Sequence, residues 1–461
     1  MLLEDIARKS SVLSTRECSP QAIDTARMAI MDTIGVSLAG AREDCTLAVY
    51  RVCRRTMGSG SSLIFGQTGG VDVLSAALVN GTASHALDFD DCSNTLGGHP
   101  SAPIVPALWA LAEERDCNGE DVLVAYISGV EVETKIGRAV NFHHYEKGWH
   151  PTATLGTFGS AAACSRLLNL DAKKTAAALG LAASMAAGIK ANFGTMTKPF
   201  HVGQASRNGL LAALLAEEGM TANPDALEGD QGFFEVFNGT GNYNPDVVMK
   251  TWADPLDIIE PGIAFKRHPC CASTHPAIDA LLVLREKHGL TAGSVKHIRS
   301  WTHPRRLNHT NRPDPKTGLD GKFSVQYVLA RALRDGVVSL EHFSDAAVQD
   351  AEIHALLKKI TAEPHPEANW ASTDHFYADV TVVTNDGREY QHYVDRPVGR
   401  DRSHPMPEGA LEAKFEDCAA RLLSPDLVEE LVRVLQQLSS IDLIREISAS
   451  IRTGMTNSEI N

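Results

Sequence analysis

Three times in the first half of the chain a basic side chain is followed directly by proline, at His99-Pro100, His150-Pro151 and Lys198-Pro199, each time ahead of a helical pattern. Proline pushes the preceding residue out of the α region and suits the first helical turn, so each basic group is predicted to lie in the loop that enters a helix. Unpaired backbone N–H groups and the positive end of the helix dipole gather at such places, which makes them receptive to a carboxylate. Three entrances brought together would form one anion pocket, with an ammonium to hold charge and imidazoles to move protons. The dipeptide alone marks nothing, because His303-Pro304, His365-Pro366 and His404-Pro405 recur in less helical surroundings.

Just upstream of His99, the stretch His85-Ala-Leu-Asp88-Phe-Asp90-Asp91 closes an apolar helical pattern with three acids. Acids at a helix C-terminus oppose its dipole and need compensation, which a carboxylate orienting His99 would find. The plainer alternative is a solvated turn, or an N-cap for the next segment. A third group, Lys266-Arg267-His268-Pro269-Cys270-Cys271 followed by Ser273-Thr274-His275, crowds basic, thiol and hydroxyl groups at a change in sequence character. Its spacing matches no zinc-ligand pattern, so Lys266 or Arg267 is expected to bind a substrate carboxylate; the alternative is a hinge whose charges face water. A metal hydrolase built on His268, Cys270, Cys271 and His275 is the rival from another class. Gly58-Ser59-Gly60 lacks the last glycine of a dinucleotide loop, and neither a phosphate-binding lysine loop nor a Gly-x-Ser-x-Gly elbow occurs.

The elements that must position these groups are mostly helical. Ile23, Ala26, Ile30, Ile34 and Leu38 recur at helical spacing behind Ser19-Pro20, and further helices are predicted at 71–86, 107–115, 122–140, 152–168, 172–190 and 200–219. Gly156, Gly159 and Ala163 on one of them let helix axes approach closely. After Pro261-Gly262 the pattern changes. Strands are predicted at 295–302 and from Tyr377 through Val382, the latter running into the hairpin signal Asn385-Asp386-Gly387, with a helix at 346–360. From Leu411 to Leu438 helical spacing returns. The reading is a mainly α protein: a helical domain over 1–262, a smaller α+β domain over 263–402, and C-terminal helices over 403–461 that pack back on the first domain.

Composition narrows the function. Lys and Arg number 43 against 57 Asp and Glu, a formal net charge of −14, which argues against a nucleic-acid binder. With 43% hydrophobic and 22% charged residues the 461-residue chain is ordinary globular protein, and no apolar run suits a membrane span. Nine irregularly spaced cysteines and the absence of a leader pattern predict a cytoplasmic, reduced protein.

Asp32-Thr33-Ile34-Gly35, Asn80-Gly81, His85 to Asp91, Gly98-His99-Pro100-Ser101, Gly148-Trp149-His150, Gly194-Thr195-Met196-Thr197-Lys198-Pro199, Ala264 to His275 and Phe323-Ser324-Val325-Gln326-Tyr327 together resemble the MmgE/PrpD family. That family includes 2-methylcitrate dehydratase, cis-aconitate decarboxylase and iminodisuccinate epimerase. The resemblance implies a large helical domain built from both chain ends plus a smaller α+β domain, a homodimer, and a small di- or tricarboxylate substrate handled without metal or organic cofactor. Carried over residue by residue, it places site positions at Asp88, His99, His150, Lys198 and Lys266, with Tyr327 nearby; the expected catalytic residues are His99, His150, Lys198, Asp88 and Tyr327, and the expected substrate-binding residues Lys198, Lys266, Arg267 and His275. Residues 141–150 resemble the epimerase, whereas Ala264 to Arg267 and Ser273 to His275 resemble the decarboxylase. The expected chemistry is dehydration, decarboxylation or epimerisation at carbon next to a carboxylate; a carboxylate-binding pseudoenzyme is the non-catalytic alternative.

Overall fold

The computed structural model describes residues 1–368 and 376–455. The chain divides into two units, Met1–Phe265 together with Pro407–Asn461, and Lys266–Met406. The larger unit contains α1 (Leu2–Ser11), α2 (Pro20–Gly40), α3 (Asp44–Cys53), β1 (Ser59–Leu63), β2 (Gly70–Val71), α4 (Val73–Ala86), α5 (Ser101–Glu114), α6 (Gly119–Val140), α7 (His143–Lys147), α8 (Pro151–Thr154), α9 (Gly156–Leu167), α10 (Ala172–Met185), α11 (Thr197–Glu217), α12 (Phe233–Asn238) and α13 (Asp246–Lys250). Its helices start where side chains can satisfy the first free N–H groups: Ser19, Asp72, Asn118 and Asp171 accept from the backbone of α2, α4, α6 and α10.

Two glycines set the close crossing of α4 and α11. A Cβ on Gly203 of α11 would stand 2.3 Å from the Leu78 carbonyl of α4, and one on Gly81 would stand 2.9 Å from the Gly203 Cα. Only hydrogen fits between these backbones. The contact draws the C-terminal end of α4 to the N-terminal turn of α11, so the acidic stretch after His85 meets Lys198. Gly159 of α9 likewise lies against Glu133 of α6.

Three local expectations in this unit need correction. The larger unit is not wholly helical, because β1 and β2 pair antiparallel. The helix expected to reach residue 190 stops at Met185, where Ala186 is extended and Gly188 takes a positive φ of 129°. Lys198 sits inside the first turn of α11 rather than in the loop before it, since the helix begins at Thr197.

The smaller unit comprises α14 (His275–His288), β3 (Val295–Thr302), α15 (Pro304–Thr310), α16 (Gly318–Lys322), α17 (Val325–Asp335), α18 (Asp345–Val348), α19 (Ala351–Leu357), β4 (Ile360–Pro364), β5 (Ala378–Thr384) and β6 (Glu389–Val394). Its sheet runs β4-β3-β5-β6, with β3 parallel to β4 and antiparallel to β5. The predicted hairpin joins β5 to β6 through Gly387 at a φ of 86°. Ile278 and Leu281 of α14 and Val328 and Leu329 of α17 form its core with Val380 and Val382 of β5. The helix expected over 346–360 is broken: Asp350 caps α19, accepting from Glu352 and Ile353 N–H, and Ile360 already belongs to β4.

The last helices, α20 (Ala410–Ala419), α21 (Pro425–Gln436) and α22 (Ile444–Gly454), belong to the larger unit. Phe415 packs where Gly35 of α2 has no side chain, and Trp109 of α5 donates to Ser448 of α22 at 2.9 Å. Among the described residues no helix is long and apolar enough to cross a membrane.

Candidate active site

The chain leaves α4 through Asp88, a non-glycine residue at a positive φ of 52°. Aspartate tolerates this left-handed conformation better than most residues, yet it is strained, and strain of this kind gathers at functional sites. The turn sends the three acids of the loop in different directions. Asp88 accepts from Lys198 Nζ at 2.7 Å, and the same oxygen lies 3.9 Å from His99 Nε2. Asp90, fully enclosed, faces His85 Nδ1 at 2.8 Å and His99 Nδ1 at 3.0 Å through one oxygen, Oδ2. Asp91 receives the Ser101 N–H at 3.2 Å and the Ser101 hydroxyl, at the first turn of α5. The plain reading of an N-terminal carboxylate for the next helix is therefore right for Asp91 alone.

The other entrances arrive at the same place. The His99 N–H donates to Thr152 Oγ1 at 3.2 Å, which ties the His99-Pro100 loop to the residue after His150-Pro151. His150 is buried, with its ring 5.7 Å from His85 and edge-on to Phe193 at 4.8 Å, and its Nδ1 lies 3.3 Å from His201 Nδ1. His85 and His99 meet edge to face at 4.6 Å. The Lys198 ammonium stands 5.5 Å from the Phe193 ring centre. Asp88, His99, His150 and Lys198 thus form one cluster, joined by His85, Asp90 and His201.

Burial sets the protonation of this cluster. Loss of solvent pushes His85 down to about 4, with Lys198 and His99 adding to the fall and Asp90 opposing it. His150 is depressed well below its ordinary value, first by burial and then by His85, Lys198 and His201. Burial and Lys198 also lower His201. Desolvation alone would raise Asp90, but the two imidazoles outweigh it and hold the carboxyl well below the usual range. Asp91, buried beside Asp32 and Asp90, goes the other way, its carboxyl pushed well above the usual range despite the Ser101 hydrogen bond. The result is neutral imidazoles next to an ammonium and an ionised carboxylate, a set able to bind an anion and pass a proton.

A lysine from the C-terminal helices braces the loop. Lys414 of α20 is buried, donates to the Phe89 carbonyl at 2.7 Å, pairs with Asp32 at 2.6 Å and lies 3.9 Å from the Phe89 ring centre.

Lys266, Arg267, His275 and Tyr327 belong to the smaller unit. Lys266 is buried, and Arg267 is partly exposed beside Asp279 at 3.5 Å. His275 Nε2 is 3.2 Å from the Cys270 carbonyl, and Cys270 Sγ is 3.3 Å from Thr274 Oγ1. Tyr327 is fully buried in the core of that unit, donating to the His342 carbonyl and accepting from Arg331 Nε at 3.0 Å. Among the described residues, the group of His, Cys and acid atoms close enough to surround a cation is His85, Asp90 and His99, not the Cys270 region. The two imidazole–carboxylate hydrogen bonds account for that closeness. Sequence reasoning marked the stretch from His85 to Asp91 and a carboxylate in it that would orient His99, without choosing Asp90 or giving His85 a role, and it passed over His201.

Residues 4–246 match the MmgE/PrpD N-terminal domain and residues 268–439 the MmgE/PrpD C-terminal domain. The chain belongs to the MmgE/PrpD family. It is 30% identical to human cis-aconitate decarboxylase over 96% of this chain and 92% of the relative. Identity to the cis-aconitate decarboxylase of Aspergillus terreus is 26%, over 96% and 95%. Identity to the 2-methylcitrate dehydratase of Escherichia coli is 24%, over 89% and 88%. This MmgE/PrpD chain is an enzyme of the family's lyase type, and its family resemblance and mainly α, two-domain fold are as expected from the sequence.

Proposed function

We propose that this MmgE/PrpD enzyme acts on a small tricarboxylate of the cis-aconitate type, removing one carboxyl group as carbon dioxide. The observation that carries the reading is the Lys198 ammonium beside Asp88 and His99 Nε2, next to a buried neutral His150. Loss of carbon dioxide leaves an electron pair on carbon next to a remaining carboxylate, and a proton must then be added. Preorganised positive charge in a water-poor site stabilises such a carbanion, an effect worth about 100-fold or more in rate for a single donor. Lys198 holds the substrate carboxylate, Asp88 fixes the Lys198 ammonium, and His99 and His150 take up a proton from solvent and deliver it to the carbon that lost carbon dioxide. The decarboxylase relatives support this choice over dehydration by their higher identity over nearly the full length of both chains. The proposal takes no metal or organic cofactor, and places the protein in the cytoplasm as a homodimer that binds neither nucleic acid nor membrane.

Proton NMR of the purified protein in heavy water, with chelator present, tests the reading against cis-aconitate, citrate, 2-methylcitrate and iminodisuccinate. The expected result is conversion of cis-aconitate to a product lacking one carboxylate, with deuterium on carbon. Water loss from 2-methylcitrate or epimerisation of iminodisuccinate would replace decarboxylation by the corresponding family reaction. Saturable binding in calorimetry without turnover or exchange would make the chain a carboxylate-binding pseudoenzyme.

A further inference from the structure

We infer that Asp90 is a positioning residue which presents His99 to the substrate as the Nδ1–H tautomer, leaving Nε2 as the working nitrogen; this rests on the functional reading above. An ionised carboxylate only accepts hydrogen bonds, so a ring nitrogen held against it must carry the proton. His99 Nδ1 and His85 Nδ1 both face Asp90 Oδ2, at 3.0 and 2.8 Å. Both rings therefore carry hydrogen on Nδ1. Their Nε2 atoms are the ones left to take up and pass on a proton: that of His85 is enclosed without a partner, while that of His99 lies toward Asp88 and so toward the Lys198 pair. The other Asp90 oxygen is also buried and unpartnered, so the two imidazoles are the donors the carboxylate meets.

His85 is the second half of the device. By filling the remaining lone pair of Oδ2 it stops the carboxylate from turning toward another group, and its ring packs edge to face on His99. The arrangement is a carboxylate shared between a working imidazole and a bracing one. Loss of such a partner leaves the geometry in place but releases the wrong tautomer, which in a known carboxylate–imidazole pair costs about 10,000-fold in kcat.

The experiment has two arms. In the unmodified protein, nitrogen-15 NMR of labelled histidine should show His99 protonated on Nδ1 and bare on Nε2; the reverse pattern overturns the proposal whatever any variant does. Asp90→Asn, which removes the charge and replaces one oxygen with a donor, should lower kcat by about 100-fold or more with KM nearly unchanged and the melting temperature within a few degrees. Asp90→Glu should recover part of the loss. Unchanged kcat in Asp90→Asn, or a joint collapse of kcat, KM and melting temperature, refutes the role. If the unmodified protein turns over no acid, the functional reading fails while the tautomer measurement still judges Asp90.

Discussion

Both units bury a cluster of ionisable groups, and the two clusters are built on opposite terms. In the smaller unit every arm of Arg331 is used: Nε donates to Tyr327, Nη1 to Asp335 at 3.3 Å and Nη2 to the Ala347 carbonyl at 2.6 Å. Arg334 then pairs with Asp335 and Asp350, each at 2.7 Å. In the larger unit, His85 Nε2, Asp90 Oδ1 and both oxygens of Glu133 are buried with no hydrogen-bond partner. Satisfied networks hold shape, whereas unmet buried groups cost free energy and persist where a function uses them. Tyr327 lies in the satisfied network, whereas His99 and Lys198 lie beside the unmet groups His85 Nε2 and Asp90 Oδ1.

The strongest way to break this contrast is at Lys198. Lys198→Met should remove turnover, by at least about 1,000-fold, and should also cost about 3 kcal/mol by leaving Asp88 buried without its ammonium. Adding Asp88→Asn should return most of the stability and none of the activity, read by thermal melts beside NMR turnover assays. Recovery of activity in the double variant would make the pair structural, like the Arg331 network. Tyr327→Phe should do the reverse, costing about 1–2 kcal/mol through the unmet Arg331 Nε and the His342 carbonyl while kcat stays within about threefold; a larger fall in kcat at constant stability would return Tyr327 to the chemistry.

A third test lies in the pH dependence of stability, which spreads its effect over several pH units rather than a single substitution. His85 and His144 are held down to about 4 by burial, so between pH 6.5 and 4 the unfolded chain binds more protons than the folded one. Stability contributed by their neutrality is present above 6.5 and lost as pH falls, at up to about 1.4 kcal/mol per pH unit for each group. Glu113, pushed up to about 7 by burial, acts in the opposite direction, since its stability is present below 4.5 and lost as pH rises toward 7. Denaturant melts across this range should show stability rising with pH, and Glu113→Gln should steepen the rise. Tyr327→Phe should leave that slope unchanged.

Much of this was legible in the residues themselves. The three basic-proline dipeptides mark the helix starts that meet in the larger unit, and Asn385-Asp386-Gly387 marks the hairpin, because proline and glycine act on the backbone where they stand. What was illegible depended on distant partners. Asp88, Asp90 and Asp91 look alike in a row, and only a left-handed turn at Asp88 assigns one to an ammonium, one to two imidazoles and one to a helix N-terminus. β4 carried no local signal because its parallel pairing with β3 is settled across a long crossover. The broken helix at Asp350 shows a cap overriding an otherwise continuous helical pattern.

Lys414 reaches the Phe89 carbonyl across 325 positions of chain. On the ribosome, the loop bearing Asp88 and Asp90 is made early and its brace very late. A growing polypeptide therefore carries this loop without its final tie until the returning helix has been made.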